Sequence, residues 1–461
     1  MLNKTKIRLF EGLRKNYRYY LGLVLVYIFF LYTSYYTRDP DYGWHLRAGE
    51  FFARFGIPKT DIFTFTAAGF PWINHEWLND VMVYYLNTLG AKIALALVFS
   101  ALWCLALYLA SRKKSLFVLL LSSIAILPFS GVRPVAWTVL FVATLERLNE
   151  PKNRKFLYII PLVFIAWANL HGGFVFGLVL ITIWQFSKKT RISWLIYAIS
   201  VAAVFFNPYF WKIFIEIGST LFDAQLKFRI AEWVPLKLPW LAVIYMSAFL
   251  VVFLSVNNKW IRKAFSIPGL TLVMALSSIR HTPLFVITSL RYFEESLEKL
   301  IKKLSGVRIS KALEAFGLCC LSTFMIVAGL LTAFSIKASR QSDSTYPVKA
   351  VGYLNKTDVC SRNIFNDYNF GGYLIDELPS HKFYIDGRMP SWKSGPTNYF
   401  ENYQRFRTDE RYRNEEINKY AITCMIILPE VELERSLQKS GWLLVREGSD
   451  NNYRLYIKET R

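Results

Sequence analysis

Residues 38–50, RDPDYGWHLRAGE, place two aspartates and a histidine directly after the first long apolar run of the chain. Ionisable groups beside a hydrocarbon-length segment are costly and are often functional. Asp41 and His45 are four residues apart and would share one face if the segment becomes helical after Pro40. A carboxylate and an imidazole on one face suit a general base with an orienting partner, or a metal site. The alternative is that Asp39 or Asp41 only caps the following helix.

A second acid and a second imidazole close the same polar connection. His75 and Glu76 are adjacent in PWINHEWLND and could join the first pair. The alternative is the start of an interfacial helix, in which Trp72 and Trp77 act as aromatic anchors. Both interpretations stay open from the sequence.

Arginines and further histidines stand at the ends of other apolar runs. GVRP contains Arg133, and SSIRHTP contains Arg280 and His281. An arginine at such a place either reaches lipid headgroups or holds a phosphate. Two arginines on the side that carries the acids favour phosphate. In NLHGGF, the two glycines after His171 let the backbone approach a ligand, although a purely structural turn fits equally well.

A membrane-embedded helical body must position these residues. The chain has 461 residues, of which 54% are hydrophobic and 17% are aromatic. Uncharged runs of bilayer or near-bilayer length recur along it and predict about eleven spans. Two of the runs, 134–145 and 282–290, are short. The other runs are 20–36, 93–110, 115–130, 156–170, 172–186, 192–211, 240–256, 264–279 and 315–336. The first run has no small-residue cleavage site and is interpreted as an uncleaved span.

The net charge of +22 follows the predicted topology rather than a nucleic-acid surface. One alternating set of polar connections holds 25 Lys/Arg and 6 Asp/Glu, namely 1–19, 111–114, 146–155, 187–191, 257–263 and 291–311. The other set holds 10 Lys/Arg and 9 Asp/Glu, namely 37–80, 131–133, 169–171, 212–239 and 280–281. The positive-inside rule makes the first set and the N-terminus cytosolic. We therefore expect no nucleic-acid partner, and we expect the candidate site residues to lie on the external side.

The predicted organisation is a membrane domain over residues 1–336 and an external α/β domain over residues 337–461. The first external loop, 37–80, is long and carries two predicted interfacial amphipathic helices. In the tail, YPVKAVGYLN predicts a helix, and two short β-rich runs flank a predicted turn at Gly371 and Gly372. CMIILP predicts a strand, and LVREGSDNNYRLYIK predicts strand and hairpin structure.

The tail also contains polar residues at predicted strand ends, which fit turns and caps or a site. Asp367, Tyr373, Asp386 and Arg388 occur in FNDYNFGGYLI and FYIDGRM. Cys360 and Cys424 both fall in the external tail and could form a disulfide, although their spacing does not demand one.

The order of these motifs resembles the bacterial multi-spanning glycosyltransferases of the GT-C superfamily. The resemblance rests on RDPDYGWHLRAGE, IPKTDIFTFTAAGFPWINHEWLND, GVRPVAWTVLF, ANLHGGFVFG, FNPY, SIRHTPLF, FNDYNFGGYLI and YIDGR. The D-x-x-x-H pattern from Asp41 to His45 also resembles the first acidic motif of oligosaccharyltransferase catalytic subunits, which belong to the same superfamily.

The resemblance implies an inverting hexosyl- or pentosyltransferase in the cytoplasmic (inner) membrane. It would move a sugar from a polyprenyl-phosphate donor to a lipid, glycan or protein acceptor on the extracytoplasmic face. The catalytic acid would be Asp41 first and Asp39 second, and Arg133 and Arg280 would hold the phosphate. A substrate-binding pocket without fixed roles would include His45, His75, Glu76, His171 and His281. Metal dependence varies across the superfamily, and Asp41 would bind a divalent cation if one is used.

Two rival functions come from other classes. A transporter or flippase for a lipid-linked substrate usually places ionisable groups near the bilayer midplane and often contains internal repeats, whereas here the polar groups cluster at one predicted surface. A non-catalytic assembly protein would not need the Asp39 and Asp41 pair. Within the enzyme class, the alternative is an oligosaccharyltransferase-like enzyme or a protein O-glycosyltransferase.

Overall fold

The computed structural model describes residues 16–36, 39–187, 192–223, 226, 230–235, 239–257, 266–304, 346–360 and 362–458. The chain forms two compact units that alternate along the sequence. Unit 1 comprises Met1–Thr37, Lys92–Phe210 and Ala224–Thr332, and unit 2 comprises Arg38–Ala91, Trp211–Asp223 and Ala333–Arg461. The domain boundary near residue 337 stays a prediction, and the predicted span 315–336 lies outside the described residues.

Helices dominate the first two thirds of the chain. They are, in chain order, α1 Tyr17–Tyr36, α2 Tyr42–Phe55, α3 Trp77–Ala110, α4 Leu116–Ile126, α5 Val135–Leu148, α6 Ile160–Leu170, α7 Phe174–Phe186, α8 Trp194–Ala203, α9 Lys212–Leu221, α10 Trp240–Val256, α11 Ile267–Ser277 and α12 Thr282–Leu304. Short 3₁₀ helices occupy Leu127–Phe129, Arg154–Ile159, Ala231–Trp233 and Ile279–His281. Each predicted apolar run within the described residues contains helical structure, although in the run 192–211 the helix ends at Ala203.

Two of the described helices, α1 and α3, are long and apolar enough to cross a membrane. Shorter apolar helices occupy Leu116–Phe129, Phe174–Phe186, Trp194–Ala203, Trp240–Val256 and Ile267–Ser277. The helix α1 buries Val26 and Phe30, yet it leaves Leu21 and Leu25 more than half exposed. A helix that is apolar all round suits a lipid environment, so the molecule is a membrane protein whose span number stays a prediction.

The helix α3 joins two segments that the sequence separates. The sequence predicts an interfacial helix that ends near Gly90 and a span that begins at residue 93. In the structure both lie in one helix, which is interrupted by non-helical backbone at Gly90 and Ala91. Ala91 has a φ of 48°, which a residue with a side chain rarely adopts. The division between units 2 and 1 falls at this interruption.

The C-terminal part of unit 2 is an α/β fold with a mixed sheet. Its elements are α13 Val348–Leu354, β1 Asn363–Asn366, α14 Gly371–Glu377, β2 Lys382–Phe383, β3 Lys393–Ser394, β4 Thr397–Asn398, α15 Tyr399–Thr408, α16 Glu410–Lys419, β5 Cys424–Ile427, α17 Val431–Lys439, β6 Trp442–Leu444 and β7 Arg454–Lys458. The main sheet has the order β2-β1-β5-β7-β6, and β3 and β4 form a separate antiparallel pair. Strands β2, β1 and β5 run parallel, while β5, β7 and β6 pair antiparallel. The predicted helix, strand and hairpin of the tail are confirmed.

The predicted turn at Gly371 and Gly372 is wrong, because both residues begin helix α14. Close packing explains the two glycines. A Cβ atom on Gly372 would overlap the carbonyl oxygen of Pro40, and one on Gly371 would meet the backbone of Ile385 and Asp386. The absence of side chains therefore lets α14 lie directly against the N-terminal end of α2.

The loop 37–80, which the sequence predicts to be external, belongs to the same unit as the tail. Thr64 forms a parallel bridge with Phe383, and Phe65 N–H donates to the Phe383 carbonyl at 3.1 Å. Arg47 of α2 reaches the side chain of Asp376 at 3.1 Å and its carbonyl at 2.7 Å. The loop thus extends the β2 edge of the sheet, and this edge positions the acids of residues 38–50.

A disulfide joins Cys360 and Cys424, whose Cα atoms are 5.5 Å apart. It links the segment before β1 to the first residue of β5, in the centre of the sheet. The predicted possibility of this bond is confirmed. Cys104 is a free, buried cysteine, as expected for a small residue in an apolar helix.

Candidate functional site

The two aspartates at the start of α2 differ in the hydrogen bonds that they make. The Asp39 carboxylate accepts a hydrogen bond from Asp41 N–H at 2.9 Å, and the Asp39 carbonyl accepts one from Tyr42 N–H at 3.0 Å. Asp41 occupies the position before the first residue of the helix, but among the described residues its carboxyl makes no capping hydrogen bond. The capping alternative therefore fails for Asp41, because its carboxyl does not bind the backbone N–H groups of the helix.

Gly387 provides the surface on which the Asp41 carboxyl lies. A Cβ atom on Gly387 would overlap that carboxyl, so only glycine leaves room for it. Removal from water, and then the charge of Asp39, raise the pKa of Asp41 to about 7, although the charge of His45 opposes this shift. A carboxyl with a pKa near neutrality can take up a proton and release it again, which suits a general base.

His45 lies one helical turn after Asp41 and is held between two acids. Its Nδ1 atom is 2.6 Å from the Asp80 carboxylate, and its Nε2 atom is 3.6 Å from Glu76. Asn74 donates to the second oxygen of Asp80 at 2.7 Å. Burial favours the neutral ring, but Asp80 and Glu76 outweigh it and raise the pKa of His45 to about 9. His45 is therefore a cation at neutral pH and does not act as the base.

His75 extends this network to helix α9. Its Nδ1 atom is 2.7 Å from Glu216, and its Nε2 atom is 3.4 Å from Glu76. Burial opposes the charge, but the carboxylates of Glu216 and Glu76 raise the pKa of His75 well above its usual value. Cations and anions thus alternate along the series Glu216, His75, Glu76, His45 and Asp80.

The described residues contain no group of three or more His, Cys, Asp or Glu arranged to hold a metal ion. The network explains why its histidines do not suit one, because a protonated imidazole has no lone pair for a metal. A divalent cation on Asp41 stays a prediction.

Arg388 holds the Gly387 segment in place. Its guanidinium is 2.8 Å from Asp61 and 2.6 Å from Asp386, and the side chain is only 4% exposed. The rings of Phe63 and Trp72 lie 4.9 and 4.5 Å from the guanidinium carbon. Two buried carboxylates and several aromatic rings therefore surround one cation. These contacts hold residues 386–388 against Asp61, Phe63 and Trp72 of the loop 37–80.

Arg133 and Arg280 converge within unit 1. Arg133 is 2.8 Å from the Glu232 carboxylate, and the Arg280 guanidinium lies 4.5 Å from the centre of the Trp233 ring. Burial alone would raise the pKa of Glu232, but Arg133 and Arg280 together lower it below its usual value. Both arginines therefore act on the same carboxylate.

His281 accompanies this arginine pair. Its ring lies 6.3 Å from that of Trp233, and its Nδ1 atom is 3.2 Å from the Met274 carbonyl. Burial and the neighbouring Arg280 lower the pKa of His281 to about 4. The neutral ring can therefore donate through Nδ1–H to that carbonyl.

His171 is engaged in the turn between α6 and α7. Its Nδ1 atom accepts from Gly173 N–H at 3.0 Å and lies 2.6 Å from the Thr138 hydroxyl. Trp167 Nε1–H donates to the same hydroxyl at 2.9 Å. These contacts support the structural interpretation of the His-Gly-Gly motif, and a role in substrate binding stays a prediction.

The structure groups the sequence-predicted residues into separate sets. Unit 2 brings together Asp39, Asp41, His45, His75 and Glu76. Unit 1 brings together Arg133, Arg280 and His281. Sequence reasoning missed Asp80, Glu216 and Glu232, which pair with residues of these two sets. It also missed Asp61, which pairs with Arg388. Only Asp80 had a usable signal, since it follows Glu76 by four residues and shares its helical face.

The fold of this chain resembles that of solved oligosaccharyltransferases. A structure of the archaeal oligosaccharyltransferase AglB from Archaeoglobus fulgidus, in complex with an inhibitory peptide and a dolichol-phosphate, matches 97% of this chain and 75% of its own, with a TM-score of 0.56 and 11% identity. A structure of the Archaeoglobus fulgidus oligosaccharyltransferase tethered to an acceptor peptide matches with a TM-score of 0.54, at the same identity and coverage. No protein-family model matches the chain. No curated protein matches it either. The likeness shows the fold alone, a helical body with an α/β domain.

Proposed function

We propose that this chain is a membrane glycosyltransferase that uses a lipid-linked phosphate donor, with Asp41 as its general base. The observation that carries the proposal is the Asp41 carboxyl, which does not cap its helix and has a pKa raised to about 7. The shared fold supports the donor class, because the AglB structure was solved with a dolichol-phosphate. A polyprenyl tail needs an apolar surface, which the exposed sides of the apolar helices provide.

In the proposed reaction, ionised Asp41 removes a proton from the acceptor as the acceptor atom attacks the anomeric carbon. The bond between that carbon and the phosphate oxygen breaks, and its electron pair leaves with the polyprenyl phosphate. Attack opposite the leaving group inverts the configuration. Asp39 is assigned a positioning role, since it orders the turn before α2 and its charge keeps the pKa of Asp41 near neutrality.

We assign phosphate binding to Arg133 and Arg280 from their contacts within unit 1. Both act on the single carboxylate of Glu232, whose side chain is 48% exposed. The donor phosphodiester carries one negative charge, as a carboxylate does, and can take two parallel hydrogen bonds from a guanidinium, and the departing polyprenyl phosphate gains a second charge. A donor phosphate would therefore compete well for Arg133 and Arg280. His281 is neutral at physiological pH and gives its Nδ1–H to the Met274 carbonyl, so its Nε2 atom would accept a hydrogen bond from a donor hydroxyl and add no charge.

His45, His75 and Glu76 are proposed to bind substrate through the charged network that they form with Asp80 and Glu216. Inversion, transfer of a hexose or pentose, the bacterial polyprenyl-phosphate donor and an external site at the inner membrane remain parts of this proposal. They rest on the sequence resemblance and the charge pattern.

An oligosaccharyltransferase-like activity is the second candidate. Both structural neighbours are oligosaccharyltransferases, and one was solved with a tethered acceptor peptide. A protein acceptor and a larger glycan are therefore consistent with the fold. The two candidates share the lipid phosphate and the base, and they differ in the glycan and the acceptor.

The test is donor turnover by the purified full-length chain in lipid nanodiscs. A panel of polyprenyl-phosphate hexoses and pentoses, and a polyprenyl-diphosphate oligosaccharide with a peptide library, are supplied separately. Mass spectrometry follows the released polyprenyl phosphate or diphosphate. Release that requires an acceptor supports the proposal, and the productive donor chooses between the candidates. Donor movement across vesicle membranes without glycosyl transfer would establish the flippase alternative instead.

A further inference from the structure

Four cations gather in unit 1 around the connections that precede α4 and follow α5. This basic cluster consists of Arg112, Lys114, Arg147 and Lys152. One buried carboxylate, that of Glu150, pairs with Arg112 and also lies 3.4 Å from Arg147 and 3.7 Å from Lys152. Glu146 and Glu294 also act on Arg112, so the four cations face three carboxylates, and positive charge remains in excess.

Another nearby carboxylate, that of Glu294, already accepts hydrogen bonds from one hydroxyl and three backbone N–H groups. It accepts from Ser111 hydroxyl at 2.7 Å, Arg112 N–H at 2.6 Å, Lys113 N–H at 2.8 Å and Ser115 N–H at 3.1 Å. These contacts shape the turn that presents the cations. Glu294 therefore builds the basic cluster and offers little further hydrogen-bonding capacity to neutralise it.

Lys114 is the most constrained member of the basic cluster. Its φ of 57° is in the left-handed region, and its ammonium lies 3.6 Å from the Tyr108 ring, 4.8 Å from Tyr19 and 5.3 Å from Tyr20. Its buried Nζ atom has no hydrogen-bond partner in the part of the chain that the structure describes. Burial, followed by the charge of Arg147, lowers the pKa of Lys114 to about 8. Such a group would gain from a nearby anion.

The position of the basic cluster indicates which class of anion it binds. It lies where α1 and α4 begin and α3 ends, and α1 and α3 present exposed apolar side chains such as Leu21, Leu25 and Leu105. Tyrosine rings at the ends of apolar helices are typical of the membrane interface. Basic sites between apolar helices at the cytosolic interface bind the headgroups of anionic lipids, and the positive-inside rule assigns this end to the cytosol.

We propose that the basic cluster of Arg112, Lys114, Arg147 and Lys152 binds the phosphate of an anionic phospholipid. Arg147 and Lys152 are the accessible members, with side chains 26% and 68% exposed, and they would contact the phosphate oxygens directly. The ammonium of Lys114 would supply the remaining donor. The acyl chains would lie against the exposed face of α1. This site is independent of the proposed glycosyl transfer.

The test uses the full-length chain, delipidated in a neutral detergent. Phosphatidylglycerol or phosphatidylcholine with identical acyl chains is added, or inorganic phosphate alone. Native mass spectrometry measures retained lipid, and thermal unfolding measures the stabilisation. The variant Arg147→Gln/Lys152→Gln removes two accessible cations of the cluster. The control Lys299→Gln/Lys303→Gln removes two exposed cations from α12 outside it.

We expect the wild-type chain and the control to retain phosphatidylglycerol at least tenfold better than phosphatidylcholine, with a matching rise in Tm. The Arg147→Gln/Lys152→Gln variant should lose that preference. Equal retention of the two lipids, or an undiminished preference in the variant, would overturn the proposal. An equal rise in Tm with inorganic phosphate alone would overturn the lipid assignment. Should the double variant fail to fold, Lys152→Glu at the most exposed position must still weaken retention.

Discussion

The Nδ1 atom of His45 lies 2.6 Å from a carboxylate oxygen of Asp80, in a pair whose side chains are 7% and 0% exposed. The contact joins helix α2 to the start of α3. It also fixes a positive charge one turn away from Asp41. Because the pair is buried, its two charges depend on each other far more than a surface pair would.

Removal of one partner should therefore be costly. The Asp80→Asn substitution leaves the His45 charge with the more distant carboxyls of Glu76 and Asp41, and we expect a loss of about 3 kcal/mol in the free energy of unfolding. Thermal unfolding in nanodiscs measures the effect. Glu50→Gln is the matched control, because Glu50 makes only half-exposed pairs with Arg47 and Arg54, worth about 1 kcal/mol or less. Similar shifts in Tm for both variants would contradict the buried ion pair.

The raised pKa of His45 predicts a pH-dependent stability. The folded pKa is about 9, against an ordinary value of 6.5. A histidine with a raised folded pKa stabilises fully below the unfolded pKa and loses this effect as pH rises through the folded one. The Tm of the wild-type chain should therefore fall between about pH 6.5 and 9, and His45→Gln should make this fall smaller, while His75, whose pKa is also raised, contributes the remainder. An unchanged profile in the variant would show that another group causes the fall.

Arg388 should not tolerate replacement by lysine. Its Nε and Nη2 atoms contact Asp386 at 2.8 and 2.6 Å, Nη2 also reaches Asp61, and flat aromatic rings stack around the guanidinium. A lysine keeps the charge, but it cannot make the several directed hydrogen bonds of a guanidinium or present a flat group to the aromatic rings. Arg388→Lys should therefore lower the free energy of unfolding by on the order of 2 kcal/mol. Arg405→Lys, at an exposed helical pair with Asp409, serves as the control. A Tm equal to that of the control would remove Arg388 from its proposed anchoring role.

The Cys360–Cys424 disulfide predicts sensitivity to reductant. The bond closes a segment with a sequence separation of 64 and ties β5 to the chain before β1. Reduction should lower stability by about 2–4 kcal/mol, and Cys360→Ala should show the same loss without a further response to reductant. Cys104→Ala, at the free buried cysteine, should retain the full response. Free thiols at Cys360 and Cys424 in protein purified without reductant would contradict the bond.

Local features were predictable from the sequence, whereas partnerships between distant segments were not. The helix after Pro40, the strand at Cys424–Ile427 and the tail hairpin each follow from short-range patterns that the structure confirms. Arg47 and Asp376 are 329 residues apart, and no local sequence pattern predicts their contact.

The glycines at 371 and 372 show the same limit. A Gly-Gly pair favours a turn when only its neighbours are considered. Here it permits close packing against Pro40, which only the three-dimensional arrangement reveals. Asp41 was a candidate from the sequence because it lies beside an apolar run, and its role stays a prediction. The contact between its carboxyl and Gly387 was not predictable, because this contact depends on how the tail packs against the loop 37–80.

The pH dependence of glycosyl transfer by wild-type, Asp41→Asn and Asp39→Asn chains tests the proposed base most directly. We expect kcat/KM of the wild-type chain to rise with pH through about 7, because only ionised Asp41 accepts a proton. Asp39→Asn should stay active with this rise moved to lower pH, since it removes a charge that raises the pKa of Asp41. Asp41→Asn should lose about 10²–10⁴-fold in kcat while its Tm at pH 8 stays at or above that of the wild-type chain. A folded Asp41→Asn chain with wild-type kcat and an unchanged pH profile would contradict the assignment of Asp41 as the base.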